Sequence, residues 1–490
     1  MIRLNRRLTR LLVLITILVF LIIQLLITTK STGEVQATIN SYKDVTRKYS
    51  DQMSNFISNA ILKQSNEKLK EEEMREELLK GSEIKKPNLN IKKNEAKTLS
   101  YDKILELLTF KDEEYYNDDT SAEYHNEIVD DQMDFYKLIY NAKIDEPRNM
   151  KLVKKLEPDE DTSYPLANAT LITLVRNSEL EQIVETIKQI ESTWNHKYHY
   201  PYTFMNEEEF SKEFKEEVGK VCSGKINYAK IPSEVWSKPA NIDPILEKQG
   251  LDRLIENNIQ YATMESYHNM CRFNSAHFYN LDILKNYKYY WRFEPGTNYY
   301  CNIDYDIFKF MSDNNKIYGF TISLYDNPYT VETLFPSTLE FLKENPQYVN
   351  KNGAFKWITE DLQNPENTKL ANGYSTCHFW SNFEIGDMDF YRGEAYSKWM
   401  EFLEAKGGFY YERWGDAPVH SLGLALFADK SKIHWFRDIG YFHSPYFNCP
   451  NSDKCAGCQT AEFAPPDVFD QNCLSNWIKY EMTKEELFQY

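Results

Sequence analysis

Ala169-Thr-Leu-Ile-Thr-Leu-Val175, then Arg176-Asn-Ser178, then Leu180, Ile183, Val184, Ile187 and Ile190, is the stretch from which the fold is read. The first run is continuously apolar or β-branched and predicts a strand buried on both faces. Ser178 can cap a helix whose apolar residues recur every three or four positions along one face. Tyr200-Pro-Tyr-Thr-Phe-Met205 predicts a second strand, and the charged segment from Glu207 to about Lys220 a second helix. Strand, helix, strand, helix begins an α/β domain with parallel strands and right-handed crossovers. Ligands of such sheets bind beyond the C-terminal strand ends. Arg176, just past the first strand, is therefore a candidate phosphate contact; its plain alternative is a surface ion pair.

Working toward the C-terminus, Tyr289-Tyr-Trp-Arg-Phe293 is strand-like and stops at Glu294-Pro-Gly296, which leaves the Glu294 carboxylate at the rim of the sheet. Tyr318 to Leu324 reads as a strand, Thr330 to about Lys343 as a helix, and Glu394 to Lys406 as a helix closed by Gly407-Gly408. Ile433 to Tyr441 reads as a late strand ending near His443.

Working toward the N-terminus, residues 30–160 are rich in Lys, Glu, Asp and Asn and contain no Cys. They read as a stem, partly helical and partly disordered, with short helices such as that around Ile104 to Phe110 able to pack on the domain at 161–490. Residues 1–10 carry Arg3, Arg6, Arg7 and Arg10 and no acid, and Leu11 to Ile27 is a 17-residue stretch whose polar members are Thr16 and Gln24. Extended through Thr29, it reaches the length needed to span a bilayer. It exceeds the roughly 7–15 apolar residues of a cleaved signal peptide. An uncleaved anchor at 11–29 is expected, with a cytosolic tail and a lumenal remainder, because the arginines precede the span. All eight cysteines lie from Cys222 onward, which in an oxidising lumen predicts that most are paired. Cys455-Ala-Gly-Cys458 lacks a second matching pair, so structural zinc is disfavoured there. Asn168-Ala-Thr170 is a lone glycosylation sequon.

The 490 residues can build a substantial core, with 35 Tyr and 28 Phe, and aromatic rings also make good walls for a sugar. A net charge of −17 argues against nucleic acid as a partner, because phosphate backbones demand a basic face. Three acidic groupings could instead hold a divalent cation against a diphosphate: Glu294, Asp304-Tyr-Asp306 and Asp387-Met-Asp389. Oxygen ligands with one imidazole suit Mn²⁺. The Asp-x-Asp pattern is short and frequent, so neither copy is specific.

Longer strings carry more. Thr173-Leu-Val-Arg-Asn177, Lys197-Tyr-His-Tyr-Pro201, Tyr267-His-Asn-Met-Cys-Arg272 and Tyr290-Trp-Arg-Phe-Glu-Pro295 resemble the fungal Golgi α-1,2-mannosyltransferases. So do Tyr300-Cys-Asn-Ile-Asp-Tyr-Asp306, Cys377-His-Phe-Trp-Ser-Asn-Phe-Glu-Ile385, Glu412-Arg-Trp-Gly-Asp-Ala-Pro-Val-His420 and Asp438-Ile-Gly-Tyr-Phe-His443. The likeness, to the glycolipid 2-α-mannosyltransferases of retaining glycosyltransferase family fifteen, runs in order from about residue 167 to 478. It implies a GT-A-type nucleotide-diphospho-sugar transferase fold, a mixed central sheet flanked by helices, behind the membrane anchor and stem. It implies Mn²⁺, GDP-mannose as donor, a mannosylated glycoprotein as acceptor, and a single-pass type II place in the Golgi membrane. Glu294 and His443 would then be metal ligands, Arg176 and Tyr267 donor contacts, Glu384 the group beside the anomeric carbon, and Asp416 the group near the acceptor. Relatives usually carry an acidic or amide residue where this chain has Gly296.

The residues themselves temper these roles. Asp304 and Asp306 follow the strand end by several positions and suit capping a turn or helix. His443 could be a packed core histidine; His268 and His378 sit in aromatic strings and read as packing residues. Retention of α-configuration needs a carboxylate nucleophile or same-face attack, and Glu384 serves either as nucleophile or as an electrostatic stabiliser. A mannosylphosphate transferase using the same donor and metal, and an inactive Golgi scaffold, are the alternatives.

Overall fold

The computed structural model describes residues 98–111, 136–154, 164–487 and 489–490. The expected anchor at 11–29 lies outside the described residues, as does most of the expected stem. Among the described residues no helix is long and apolar enough to cross a membrane.

The chain from Ala96 to Tyr490 forms one compact unit. Its centre is a sheet made of seven strands, β1 (Ala169–Leu174), β2 (Tyr202–Asn206), β3 (Ile226–Lys230), β4 (Tyr289–Arg292), β6 (Tyr318–Phe320), β9 (Glu384–Asp387) and β10 (Ile433–Trp435), in the order β10-β6-β9-β4-β1-β2-β3. A three-stranded sheet joins β5 (Asn298–Tyr299), β11 (Tyr441–His443) and β12 (Tyr446–Asn448), and β7 (Ser323–Tyr325) pairs with β8 (Cys377–Phe379). The two strands and the helix expected between 169 and 205 form. β1 runs parallel to β2 and β4, and its first five residues are buried. The helix Leu180–Ile190 buries Ile183, Thr186, Ile187 and Ile190. Ser178 does not cap it: a short 3-10 turn intervenes, in which the Glu179 carboxylate accepts the Arg176 backbone N–H.

Four neighbouring strands, β4, β1, β2 and β3, are parallel, but the sheet is mixed because β9 runs antiparallel to both β4 and β6. That reversal matters for function. It brings the start of β9 to the end of β4, so Glu384 and Arg292 become cross-strand partners on the C-terminal rim.

Two expected strands are each divided. Tyr318 to Leu324 splits into β6 and β7, which pair with different partners. The strand expected over 433–441 splits into β10, parallel to β6, and β11, which leaves for the small sheet. The turn between them passes Gly440, where a Cβ would lie 2.3 Å from the Cys301 sulfur. The charged helix is shorter than expected, Lys212–Gly219, with Ser211 as its cap. The helix expected from Thr330 begins at Leu334. The helix Glu394–Lys406 ends as expected at Gly407, which takes a left-handed φ of 73°.

The short helix expected around Ile104 to Phe110 packs on the domain, as read. The helix Tyr101–Leu107 inserts Ile104 into the core, and Tyr136, Tyr140 and Ile144 are also buried. Tyr140 packs on Trp435 and hydrogen-bonds Asn448. Ile104, Tyr136 and Tyr140 belong to the main apolar core although the residues around them are largely charged.

Three disulfides join Cys301 to Cys455, Cys377 to Cys473 and Cys449 to Cys458, leaving Cys222 and Cys271 as thiols. Cys455 and Cys458 thus belong to different bridges, which excludes a shared zinc or redox pair. Thr170 of the sequon is buried in β1, and the Asn168 amide donates to the Asn286 carbonyl.

Candidate active site

The C-terminal rim of the large sheet collects most of the candidate residues. Glu294 follows β4 by two positions, and Gly296 completes the turn with φ of 78° in open space. That left-handed conformation suits Gly, and Asn or Asp among side-chain-bearing residues. β11 brings His443 to the same place, so that its Nε2 faces Glu294 Oε2 across 3.9 Å. Trp380 packs edge-on against the His443 ring, centroids 4.8 Å apart. His443 is therefore partly walled by an aromatic ring, but its Nε2 looks toward a carboxylate.

Glu294, Glu384 and Asp416 meet on a residue that sequence reading passed over. Arg292, the last residue of β4, donates from Nη2 to Glu294 Oε1 at 2.6 Å and from Nη1 to Asp416 Oδ2 at 2.5 Å. The same Nη1 lies 3.9 Å from Glu384 Oε1. Its planar fork lets one cation serve several carboxylates at once. Burial works against the Asp416 charge, but Arg292 and His420 outweigh it and hold its carboxyl below the usual range. The signal was present in the sequence: an arginine within the otherwise aromatic run Tyr-Tyr-Trp-Arg-Phe must be buried with a partner.

Asp416 starts the helix Asp416–Phe427 and also accepts from Ser381 Oγ at 2.8 Å. Glu384 is enclosed, its side chain 1% exposed. Oε2 accepts from the Tyr318 hydroxyl at 3.0 Å and lies 2.9 Å from His420 Nδ1. Its nearest partners are thus polar, although it follows the largely aromatic string Phe379-Trp-Ser-Asn-Phe383.

Tyr267 lies on the helix Glu265–Ala276. Its ring stacks on Tyr261 at 4.6 Å, and the Arg413 guanidinium sits 5.2 Å from its centre. Burial, with a smaller push from Cys271, keeps its phenol protonated well above the usual range. Arg176 emerges from the same rim after β1 but is 62% exposed, with its guanidinium on Glu179 at 3.0 Å. It lies apart from the Arg292 cluster and is paired as a surface arginine would be.

The two Asp-x-Asp segments do other work. Asp306 caps the helix Ile307–Asp313 and accepts from the hydroxyls of Tyr200 and Tyr164. Asp304 pairs with Lys197 and Lys454. Asp387 caps a short helix and pairs with Lys288. His268 is buried between the carbonyls of Ala262 and Phe409, and His378 is buried as well, so both are packing residues.

The donor set fits Mn²⁺. One carboxylate and one imidazole face each other beyond hydrogen-bond distance, and among the described residues no third His, Cys, Asp or Glu joins them. Small hard divalent ions such as Mg²⁺ are often held by one or two carboxylates, with water and substrate phosphate oxygens filling the remaining positions.

The sequence pattern of the glycolipid 2-alpha-mannosyltransferases matches residues 123–482. The chain belongs to this family. It is 50% identical over 373 residues to the probable mannosyltransferase KTR4 of Saccharomyces cerevisiae, covering 74% of this chain and 80% of that protein. The crystal structure of Ktr4p in complex with GDP superposes with a TM-score of 0.75 and 48% identity, covering 80% of this chain and 99% of that one. Core-mannan synthase A of Aspergillus fumigatus, in its Mn/GDP form, gives 0.68 at 48% identity, covering 70% and 93%. Glycolipid 2-alpha-mannosyltransferase 1 of Candida albicans is 49% identical over 325 residues, 66% of this chain and 73% of that protein. The mixed α/β architecture with its central mixed sheet is that of the two solved relatives.

Proposed function

We propose that this family member is a Mn²⁺-dependent, retaining α-1,2-mannosyltransferase of GT-A type. It moves mannose from GDP-mannose to the 2-hydroxyl of a terminal α-mannose on N- or O-linked glycans. The observation that carries this reading is the Glu294–His443 pair at the sheet rim, fixed through Arg292 to Asp416. The similarity to proteins solved with GDP and with Mn/GDP supports the nucleotide and the metal. Relatives named as α-1,2-mannosyltransferases support the linkage.

When bound, the metal neutralises the diphosphate that leaves as GDP. Glu294 and His443 would hold it, and Arg292 fixes the angle of the Glu294 carboxylate. Tyr267, its ring set between Tyr261 and Arg413, and exposed Arg176 are the donor contacts in this reading. Asp416, tied down by Arg292 and Ser381, orients the acceptor hydroxyl. Glu384, whose Oε2 is taken by the Tyr318 hydroxyl and the His420 ring, acts as a fixed negative charge that stabilises the oxocarbenium-like state. Retention then follows from attack on the face that GDP leaves.

We extend the proposal to a type II Golgi membrane protein with residues 1–10 cytosolic, 11–29 spanning and the remainder lumenal. Protease protection of sealed vesicles checks it: digestion of the catalytic unit without detergent contradicts it. For the activity, the full chain is incubated with GDP-mannose, Mn²⁺ and α-mannobiose. GDP and an α-1,2-linked trisaccharide are expected. GMP release would identify mannosylphosphate transfer, and no product would favour a scaffold.

A further inference from the structure

From Asp416 a row of contacts leads outward to the surface. In the string Glu412-Arg-Trp-Gly-Asp416, Arg413 has a buried Nε with no hydrogen-bond partner among the described residues. Its Nη2 stands 3.8 Å from Asp326 Oδ1, beyond hydrogen-bond distance, although the two side chains are only 12% and 17% exposed. Asp326 directly follows β7, and its Oδ1 accepts the Asn327 backbone N–H at 2.7 Å. A Cβ added to Gly415 would lie 3.8 Å from Asp326 Oδ2, so the pair borders the residue before Asp416. Arg437, likewise with an unpartnered buried Nε, spends its Nη2 on the carbonyls of Ile139 and Ala142. Arg413 instead faces a carboxylate held just out of reach.

Past Arg413 the row continues through two rings. The guanidinium lies 5.2 Å from the centre of the Tyr267 ring, and Tyr261 stacks on that ring at 4.6 Å with the planes 15° apart. Tyr261 is 50% exposed and holds a φ of 60°, a left-handed conformation rare for a bulky side chain. Its turn is pinned on both sides. Ile259 and Ala262 are buried with Leu254, the Ala262 carbonyl faces His268 Nε2 at 2.9 Å, and the Tyr261 carbonyl accepts the Met264 N–H at 3.0 Å. Backbone strain of this kind persists where the surroundings over-determine it, and it clusters at ligand sites.

A carboxylate that only accepts, beside a guanidinium that only donates, suits two neighbouring hydroxyls of one sugar. A half-exposed aromatic ring suits the C–H face of a pyranose. The two features stand on either side of Tyr267, a span that two linked sugars can bridge. We infer that the acceptor is bound at two places: Asp326 and Arg413 grip adjacent hydroxyls of the accepting mannose, and the sugar behind it lies against Tyr261. Tyr261 thereby sets a preference for acceptors of two or more mannose residues. The inference rests on the role given to Asp416 above.

Two acceptors test it, used by the full chain with GDP-mannose and Mn²⁺. Methyl α-mannoside has only the accepting ring; α-mannobiose has both. The parent is expected to favour α-mannobiose in kcat/KM. Tyr261→Asn keeps a residue that tolerates the left-handed φ and removes the ring, so it should cut that preference about tenfold or more. A purely structural defect lowers both acceptors alike and preserves the ratio; an unchanged ratio, or no preference in the parent, overturns the platform. Asp326→Asn should lower kcat/KM on both acceptors about tenfold or more while Mn²⁺-dependent GDP affinity stays within about twofold. Parental use of methyl α-mannoside by Asp326→Asn overturns the grip. Saturation-transfer NMR of bound α-mannobiose, with GDP and diamagnetic Mg²⁺ in place of Mn²⁺, reads the same places without any transfer. Both rings should receive saturation from the parent, and only the non-reducing ring from Tyr261→Asn. That pattern in a parent that transfers no mannose would sink the proposed activity and leave the two-place site standing; a reducing ring untouched in the parent overturns the site whatever the chain transfers.

Discussion

Arg292 is the residue on which the site turns. It reaches Glu294 and Asp416 through separate guanidinium nitrogens, and the latter nitrogen also faces Glu384. Removing it would leave buried carboxylates unpaired. Arg292→Met is expected to destabilise the protein by about 3–5 kcal/mol, read by denaturant unfolding. Arg292→Lys keeps the charge but cannot form the two-armed contact, so it should fold while losing most turnover; unchanged turnover would show that the fork is dispensable. Glu294, Glu384, Asp416 and His443 could be named from their strings, and three of those four converge on one arginine. Arg176 and Tyr267 stand further out. Arg292 and His420 escaped notice because an isolated charge within an apolar run yields no motif, although burial of such a charge demands a partner.

At the scale of elements, the alternation of strand and helix from 169 to 220 was legible because periodicity reports local burial. Sheet membership was not. The chain leaves one sheet for another within 318–325 and again within 433–443, and the local pattern is equally apolar on both sides of each break. The capping reading of Asp306 is confirmed: it takes the backbone N–H groups of Phe308 and Lys309. Asp306→Ala should cost at least about 1–2 kcal/mol in unfolding free energy through the lost cap. It should leave Mn²⁺-dependent GDP affinity unchanged, and a parallel loss of metal binding would return this carboxylate to the metal site. Disulfide number was predictable, connectivity was not. Thiol labelling of the denatured, unreduced protein should modify two cysteines, Cys222 and Cys271.

The molecule as a whole depends on residues that look like tether. Ile104, Tyr136, Tyr140 and Ile144 are buried although their neighbours are charged. A chain truncated to begin at residue 96 should therefore unfold at a clearly higher temperature than one beginning at 160; equal midpoints would show that these residues add nothing. Acidity acts through Asp438, buried beneath the hydroxyls of Tyr305 and Tyr490. Burial lifts its carboxyl to about 6, against an ordinary value near 4. Between those values the folded protein holds a proton that the unfolded chain has released. This group's contribution thus favours folding most below about pH 4 and weakens as pH rises toward 6. Asp438→Asn should flatten that part of the stability–pH curve, measured as unfolding midpoints. The proposed function assigns Glu294 and His443 to the metal and diphosphate and Glu384 to the reacting sugar. Calorimetric titration of GDP, with and without Mn²⁺, into Glu294→Gln and Glu384→Gln tests that division directly. Glu294→Gln should lose the Mn²⁺-dependent gain in affinity, whereas Glu384→Gln should bind GDP and Mn²⁺ like the parent while transferring mannose at least about a hundredfold more slowly. Retention of metal-dependent affinity by Glu294→Gln, with its loss in Asp304→Asn or Asp306→Asn, would contradict the account.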